Sequence, residues 1–254
     1  MITIKDKQAL GHMYTAGQYL ATILLDIEQL IIADTSTLFL DKWIEKQLND
    51  KGLVSQSKGY HGYRHVSCIS INDVVVHGIP SAQQILKEGD LVKIDVCAAW
   101  KGYCADMARC FFVQPILPKV RTLVDVAQSA LDHGLSQVEV GNRLTDISAA
   151  IQAEVESHGL GVVRDFAGHG IGQRMHEEPE ILNYGRSGKG PLLKVGMAFA
   201  IEPMITEGDY AVYVAEDGWT VKTSDGSLAA HVEDTVIITD QGRRIITRLD
   251  CESL

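Results

Sequence analysis

The stretch "FAGHGIGQRMHEEP", residues 166–179, decides between two folds. Gly168, Gly170 and Gly172 crowd around His169, and His176 follows seven positions later. As a phosphate loop the pattern would open a doubly wound dinucleotide fold. The last glycine of that fingerprint is missing, with Gln173 and Met175 where the spacing asks for it, and no G-K-[ST] follows. Glycines beside a histidine have another use, which is to let the backbone bend sharply and bring the imidazole into a crowded site. The glycines and Pro179 also oppose one continuous helix, so the two histidines are expected at the ends of two strands joined by a turn.

Working outward, three strand-like segments each carry an acid, although Asp is depleted from strands and a buried carboxylate is costly. In "LVKIDV" (91–96), Val92, Ile94 and Val96 form one face and place Asp95 on the other. In "GMAFAIEPM" (196–204), Glu202 shares a face with the small Ala198 and Ala200; in "HVEDTVII" (231–238), Glu233 alternates with Val232 and precedes Asp234. Asp106 lies eleven residues after Asp95 across a turn at Lys101-Gly102, so a hairpin brings the two carboxylates together. Converging carboxylates without Arg or Lys repel, and a divalent cation removes the conflict. Carboxylates with one imidazole suit Mn, Fe, Co or Zn, and four carboxylates exceed what one tetrahedral zinc takes up, which favours a bridged pair of metals.

The remaining composition excludes more than it assigns. The chain has 254 residues, 46% hydrophobic and 22% charged, enough to bury a substantial core. Its net charge of −10, without a run of Lys or Arg, opposes a nucleic-acid surface. The first residues carry no secretory pattern and no apolar run approaches a membrane span, so a cytoplasmic protein off the membrane is expected. The five cysteines, Cys68, Cys97, Cys104, Cys110 and Cys251, contain no C-x-x-C and read mostly as small buried hydrophobes. Helical spacing covers 8–31, 36–50 and, after about Lys119, two further segments ending at Gly159; strands fill the intervals, with Asp217-Gly218 as a hairpin turn. That helix–strand order, repeated once, fits either two α/β halves around a cleft or a single α+β domain.

"HGIP" (77–80), "KIDV" through "GYCAD" with Asp95 and Asp106, "GHGIGQRMHEEP" (168–179), "GMAFAIEPM" and "VEDT" (232–235) together resemble the ordered motifs of type I methionine aminopeptidases. The resemblance runs over essentially the whole chain. It implies the pita-bread fold of mixed α/β class, two pseudo-symmetric halves around a dinuclear metal site, as a single catalytic domain over 1–254 without an N-terminal extension domain. It implies Asp95, Asp106, His169, Glu202 and Glu233 as metal ligands for two divalent ions (Co, Mn, Fe, Zn or Ni), with Asp106 and Glu233 bridging. It further implies His77 and His176 at the scissile bond, Glu202 as proton acceptor, and a methionine pocket of Tyr60, Tyr63, Cys68, Met175 and Trp219. The expected activity is removal of the first methionine from nascent polypeptides at the ribosome, ahead of a small second residue, by a monomer. Two departures stand out: Asp234 replaces the usual His in "EHT", giving an "EDT" closer to the proline-directed peptidases of the same fold, and Ser57 replaces a frequent Cys.

Overall fold

Helix α1 (Lys7–Asp26) starts at Asp6, whose carboxylate accepts from the Ala9 backbone N–H at 2.8 Å, a standard N-cap. It stops earlier than its periodicity predicts, because the chain tightens into a 3₁₀ turn over Ile27–Leu30. Helix α2 (Thr37–Asp50) is capped by Ser36, and α3 (Pro118–Ser136) carries its proline at the first turn, where no N–H is missed. Helix α4 (Leu144–Ser157) ends two residues before Gly159, whose φ of 69° suits the left-handed position past a helix. These helices belong to a computed structural model that describes residues 1–249, so Cys251 lies outside the described residues.

The strands of the first half are β1 (Val54–Ser55), β2 (Cys68–Ile71), β3 (Val74–Val76), β4 (Leu91–Trp100) and β5 (Tyr103–Phe112). Those of the second half are β6 (Gly161–Val162), β7 (Ala167–Gly170), β8 (Glu177–Leu182), β9 (Ala198–Ile201), β10 (Met204–Thr206), β11 (Val212–Val214), β12 (Val221–Thr223), β13 (Ala229–His231), β14 (Asp234–Thr239) and β15 (Gly242–Ile245). All pairings are antiparallel. In the first half β1 and β2 share one edge of β4, and β5 takes the other. The second half holds a five-stranded sheet, β15-β14-β9-β7-β8, and a three-stranded one, β13-β10-β6. A third small sheet, β11-β12-β3, joins the halves, and the Asp217-Gly218 turn lies in its β11–β12 connection.

Each half is covered by its own helices. Met13, Leu20 and Ile23 of α1 and Leu40 and Ile44 of α2 share a core with Val92, Ile94 and Val96 of β4. Val120, Leu123 and Leu131 of α3 and Ile147 and Ile151 of α4 share another with Phe199, Ile201, Val236 and Ile238. Burial of each such side chain contributes about 1.5–3 kcal/mol, which fixes the register of both sheets and the orientation of their opposite faces. The architecture is therefore two α/β halves, and their inner faces meet where Ala108 of β5 pairs with Glu233.

Candidate metal centre

The inner face of the β4–β5 hairpin sets the first two acids. Asp95 lies opposite Ala108 and Cys97 opposite Asp106, so with a side-chain period of two all four point to one side, the two carboxylates diagonal across the pair. The other two acids sit at corners. Strand β9 ends at Ile201, and Glu202 with Pro203 carries the chain from the five-stranded sheet into β10 of the three-stranded one. Val232 and Glu233 make the return journey, from β13 to β14. Both glutamates thus occupy breaks where two sheets exchange strands, not regular strand positions as their sequence reading predicts. Glu233 is held there by reciprocal backbone bonds with Ala108, 3.0 and 3.3 Å long.

His169 stands on β7 directly opposite Ala200 of β9, whose small side chain leaves room for the imidazole. Gly168 and Gly170 do not form a sharp bend: neither has a positive φ, and both lie in the extended strand β7. Their role is close approach. A Cβ on Gly168 would lie 2.5 Å from the Ala200 carbonyl oxygen, and one on Gly170 would lie 2.1 Å from that of Glu178. The expectation of two strand ends joined by a turn holds, since His169 is on β7 and His176 immediately precedes β8, with the two rings 4.5 Å apart edge to face.

Three ligand-competent groups, from Asp106, His169 and Glu233, bring one atom each within 4.8 Å of one another. His169 Nε2 is 3.5 Å from Glu202 Oε1 and 4.0 Å from Asp106 Oδ2. Its Nδ1 lies 3.0 Å from the Gly170 carbonyl, an acceptor only, so the ring proton sits on Nδ1 and the Nε2 lone pair faces the carboxylates. Among the described residues, Asp106 Oδ1 and Glu233 Oε1 are buried without a hydrogen-bond partner, a costly state unless a cation completes it. Burial, and after it the mutual repulsion of the cluster, pushes Asp95, Asp106 and Glu233 well above the carboxylate range, and burial does the same to Glu202. Burial also pulls His77, His169 and His231 down to about 4, leaving neutral imidazoles. Hard oxygen donors with one free imidazole nitrogen fit divalent cations.

Asp234 does not join this cluster. Its carboxylate accepts from Arg109 Nη2 at 2.6 Å, Thr247 Oγ1 at 2.7 Å and Arg248 Nε at 2.7 Å, on the side away from Glu233's free oxygen. Burial alone would raise its pKa, and the two arginines more than reverse this. Two groups escape a reading of the sequence. His231, buried at the end of β13, places Nε2 3.4 Å from Glu202 Oε2; its place two residues before Glu233 was the one available signal. Asp41 of α2 anchors the loop beside the site, taking the backbone N–H groups of Val66 and Ser67 at 3.0 and 3.1 Å and His65 Nδ1 at 2.9 Å.

Two cavities meet at the cluster. A narrow one of about 120 Å³ is lined by Tyr60, Tyr63, Cys68, Met175 and Trp219 together with the acids, and Ser57 stands on its wall. The rings of Tyr63 and Trp219 pack at a tilt of 49° with centroids 5.0 Å apart, and the Tyr63 hydroxyl donates to the Ser67 carbonyl at 2.9 Å, so this wall presents apolar ring surface. A wider one of about 520 Å³ opens on the other side past His231, Phe166 and Glu180. His77, with φ of 60°, and His176 line both. His176 lies at the mouth, where partial desolvation and then the neighbouring His61 keep its pKa below the ordinary histidine value.

Comparison with known proteins follows this geometry. The sequence profile of metallopeptidase family M24 matches residues 11–240. A methionine aminopeptidase of Clostridium acetobutylicum is 44% identical over 247 residues, which is 97% of this chain and 99% of that protein. The crystal structure of methionine aminopeptidase from Thermotoga maritima superposes with a TM-score of 0.96 at 39% identity, covering 98% of this chain and all of the other. Prolidase from Pyrococcus furiosus, at 21% identity and a TM-score of 0.77 over 97% of this chain and 66% of its own, shares the fold. The two α/β halves are those of the pita-bread architecture.

Proposed function

Because the chain belongs to metallopeptidase family M24, we propose that it cleaves the first peptide bond of polypeptides that begin with methionine, preferring a small second residue. The observation that carries this reading is the junction of two features: the ligand atoms that Asp106, His169 and Glu233 bring within 4.8 Å of one another, and an adjoining 120 Å³ cavity walled by aromatic rings, a thiol and a thioether. Such walls suit an unbranched, polarizable thioether side chain, and the acids that line the same cavity belong to the ligand cluster.

Asp95, Asp106, His169, Glu202 and Glu233 would hold two divalent ions. Cations bound there supply Lewis acidity, lowering the pKa of a water and polarising the carbonyl. Glu202, buried beside His169 and His231, accepts the proton of the attacking water. His176 donates to the carbonyl oxygen as negative charge develops on it, and His77 hydrogen-bonds the peptide on the leaving side. Tyr60, Tyr63, Cys68, Met175 and Trp219 enclose the methionine side chain and orient the bond. Cobalt, manganese, iron, zinc and nickel all suit this donor set, and metal analysis of the purified protein distinguishes them.

The sequence feature in favour of a proline-directed peptidase was "EDT", and Asp234 turns away from the cluster into its arginine pair. Residues 1–254 are read as one catalytic domain, a monomer acting on nascent chains in the cytoplasm. No helix among the described residues is long and apolar enough to cross a membrane. The test is methionine release from Met-Ala-Ser against Xaa-Pro peptides, with metal content measured in parallel. Unchanged release after His169→Ala or Glu233→Ala would overturn the site.

A further inference from the structure

The Tyr60 hydroxyl lies 3.1 Å from Nδ1 of His176, and the two rings meet edge to face with centroids 5.4 Å apart. We infer that Tyr60 is a positioning residue: its hydroxyl donates to Nδ1 and thereby holds the ring proton of His176 on Nε2, as the donor for the scissile carbonyl. The carbonyl half of this statement rests on the peptidase reading above. The tautomer half rests on geometry alone.

Relative donor and acceptor strength gives the direction. A phenol has one proton to donate, and a neutral imidazole has one N–H and one lone pair. A phenol O–H is a stronger donor than the N–H of a neutral imidazole, and an imidazole lone pair is a stronger acceptor than a phenolic oxygen, so in this contact, the one the Tyr60 hydroxyl makes among the described residues, the phenol donates and Nδ1 accepts. With the phenol donating, the Nδ1 lone pair is filled and the imidazole proton is left on Nε2 for a ligand.

The turn that presents Tyr60 is built to hold it. Gly59 and Gly62 have φ of 96° and 86°, and His61, although not a glycine, has 46°. A left-handed residue of this kind costs roughly 1–2 kcal/mol and persists only where neighbours fix it. Here Gly59 N–H donates to the Tyr63 carbonyl at 2.8 Å, Tyr63 N–H to Tyr60 at 2.9 Å and Tyr60 N–H to Ser57 at 3.0 Å. His61 backs the Tyr60 ring edge to face at 4.4 Å.

The two adjacent imidazoles are then wired in opposite senses. His169 donates from Nδ1 to the Gly170 carbonyl and keeps the Nε2 lone pair for the cluster. His176 accepts at Nδ1 from Tyr60 and keeps a proton on Nε2. One is set as a ligand and the other as a hydrogen-bond donor by a single outer contact each.

Two-bond ¹H–¹⁵N spectra of the ¹⁵N-histidine-labelled chain read the tautomer directly, with His176 assigned by its disappearance in His176→Asn. The native protein is expected to show His176 protonated at Nε2, and Tyr60→Phe, which keeps the ring, to show a mixture of tautomers. In the same variant kcat on Met-Ala-Ser should fall about tenfold, short of the loss on removing the donor itself. KM should stay within twofold and metal content unchanged. A native His176 protonated at Nδ1, or a Tyr60→Phe protein with unaltered tautomer and kcat, overturns the inference. Native protein that loads metal and shows the Nε2 tautomer yet releases no methionine would overturn the peptidase reading and support the tautomer assignment.

Discussion

Glu233 and Asp234 are neighbours in sequence, both buried, and chemically alike, yet the protein treats them in opposite ways. Asp234 has both carboxylate oxygens filled, by Arg109, Arg248 and Thr247. Arg109 also donates to the Glu233 carbonyl at 2.6 Å and to that of Thr247 at 3.0 Å, so the back of the segment is a closed network. On the front, Glu233 Oε1 and Asp106 Oδ1 have no hydrogen-bond partner among the described residues. Adjacent residues of an extended chain point to opposite sides, so one peptide separates a completed polar shell from an open one. Where the protein itself neutralises a buried acid, the acid is structural; where it leaves the acid unmatched, the site is open to a proton or to a bound cation.

The sharpest break in that comparison is Glu233→Ala. Removing an acid from the open side should abolish metal loading and lower kcat/KM for Met-Ala-Ser by on the order of 10³-fold or more, while the fold survives because no protein partner is orphaned. Metal analysis and steady-state kinetics read the two effects separately. His176→Ala comes next, with kcat down roughly 10²–10³-fold as for loss of one oxyanion donor, and metal content unchanged. Equal loss of metal in both variants would erase the distinction between the two histidine-bearing sides of the site.

Asp234→Ala tests the closed side. It takes the shared carboxylate from two guanidinium groups that are each 23% exposed, of which Arg248 keeps Asp132 and Arg109 its carbonyl partners, so the cost should be about 2–4 kcal/mol, somewhat below that of breaking a fully buried pair. Urea unfolding should show a lower midpoint with the same slope, and the folded fraction should still load metal. Loss of metal without loss of stability would place Asp234 among the ligands, and the contrast with Glu233 would fail.

What could be read from the sequence follows the regularity of the local backbone. Asp95 sits in the middle of a ten-residue strand, so alternation alone put it opposite the core face, and the turn at Lys101-Gly102 was enough to bring Asp106 beside it. Glu202 and Glu233 lie where strands pass between sheets, and a period-two pattern carries no sign of that exchange. The glycines of residues 168–170 gave the position of His169 but not their own reason. Their constraint is the backbone of β9 and of Glu178 pressed against them, which local sequence does not encode. His231 and the arginine pair behind Asp234 were illegible for the same cause: each depends on which half of the chain packs on which.

The smallest effect is expected at the seam between the two sides. Thr235 is fully buried one residue beyond Asp234, and its hydroxyl accepts from the Asp106 backbone N–H at 2.9 Å while donating to the Asp106 carbonyl at 2.7 Å. Its own N–H donates to Thr247 Oγ1 at 3.0 Å, so Thr235 ties the closed network to the backbone of an acid on the open side. Thr235→Val keeps the shape and removes both side-chain bonds, leaving a buried N–H and C=O without partners at a cost of about 1–3 kcal/mol. If the closed side exists to place the open one, this variant should weaken metal binding severalfold in calorimetric titration, and Thr235→Ser should restore it, since serine supplies the same hydroxyl. A Thr235→Val protein that is destabilised but binds metal as tightly as the native chain would mean that the network behind Asp234 holds the fold together and has no part in aiming Asp106.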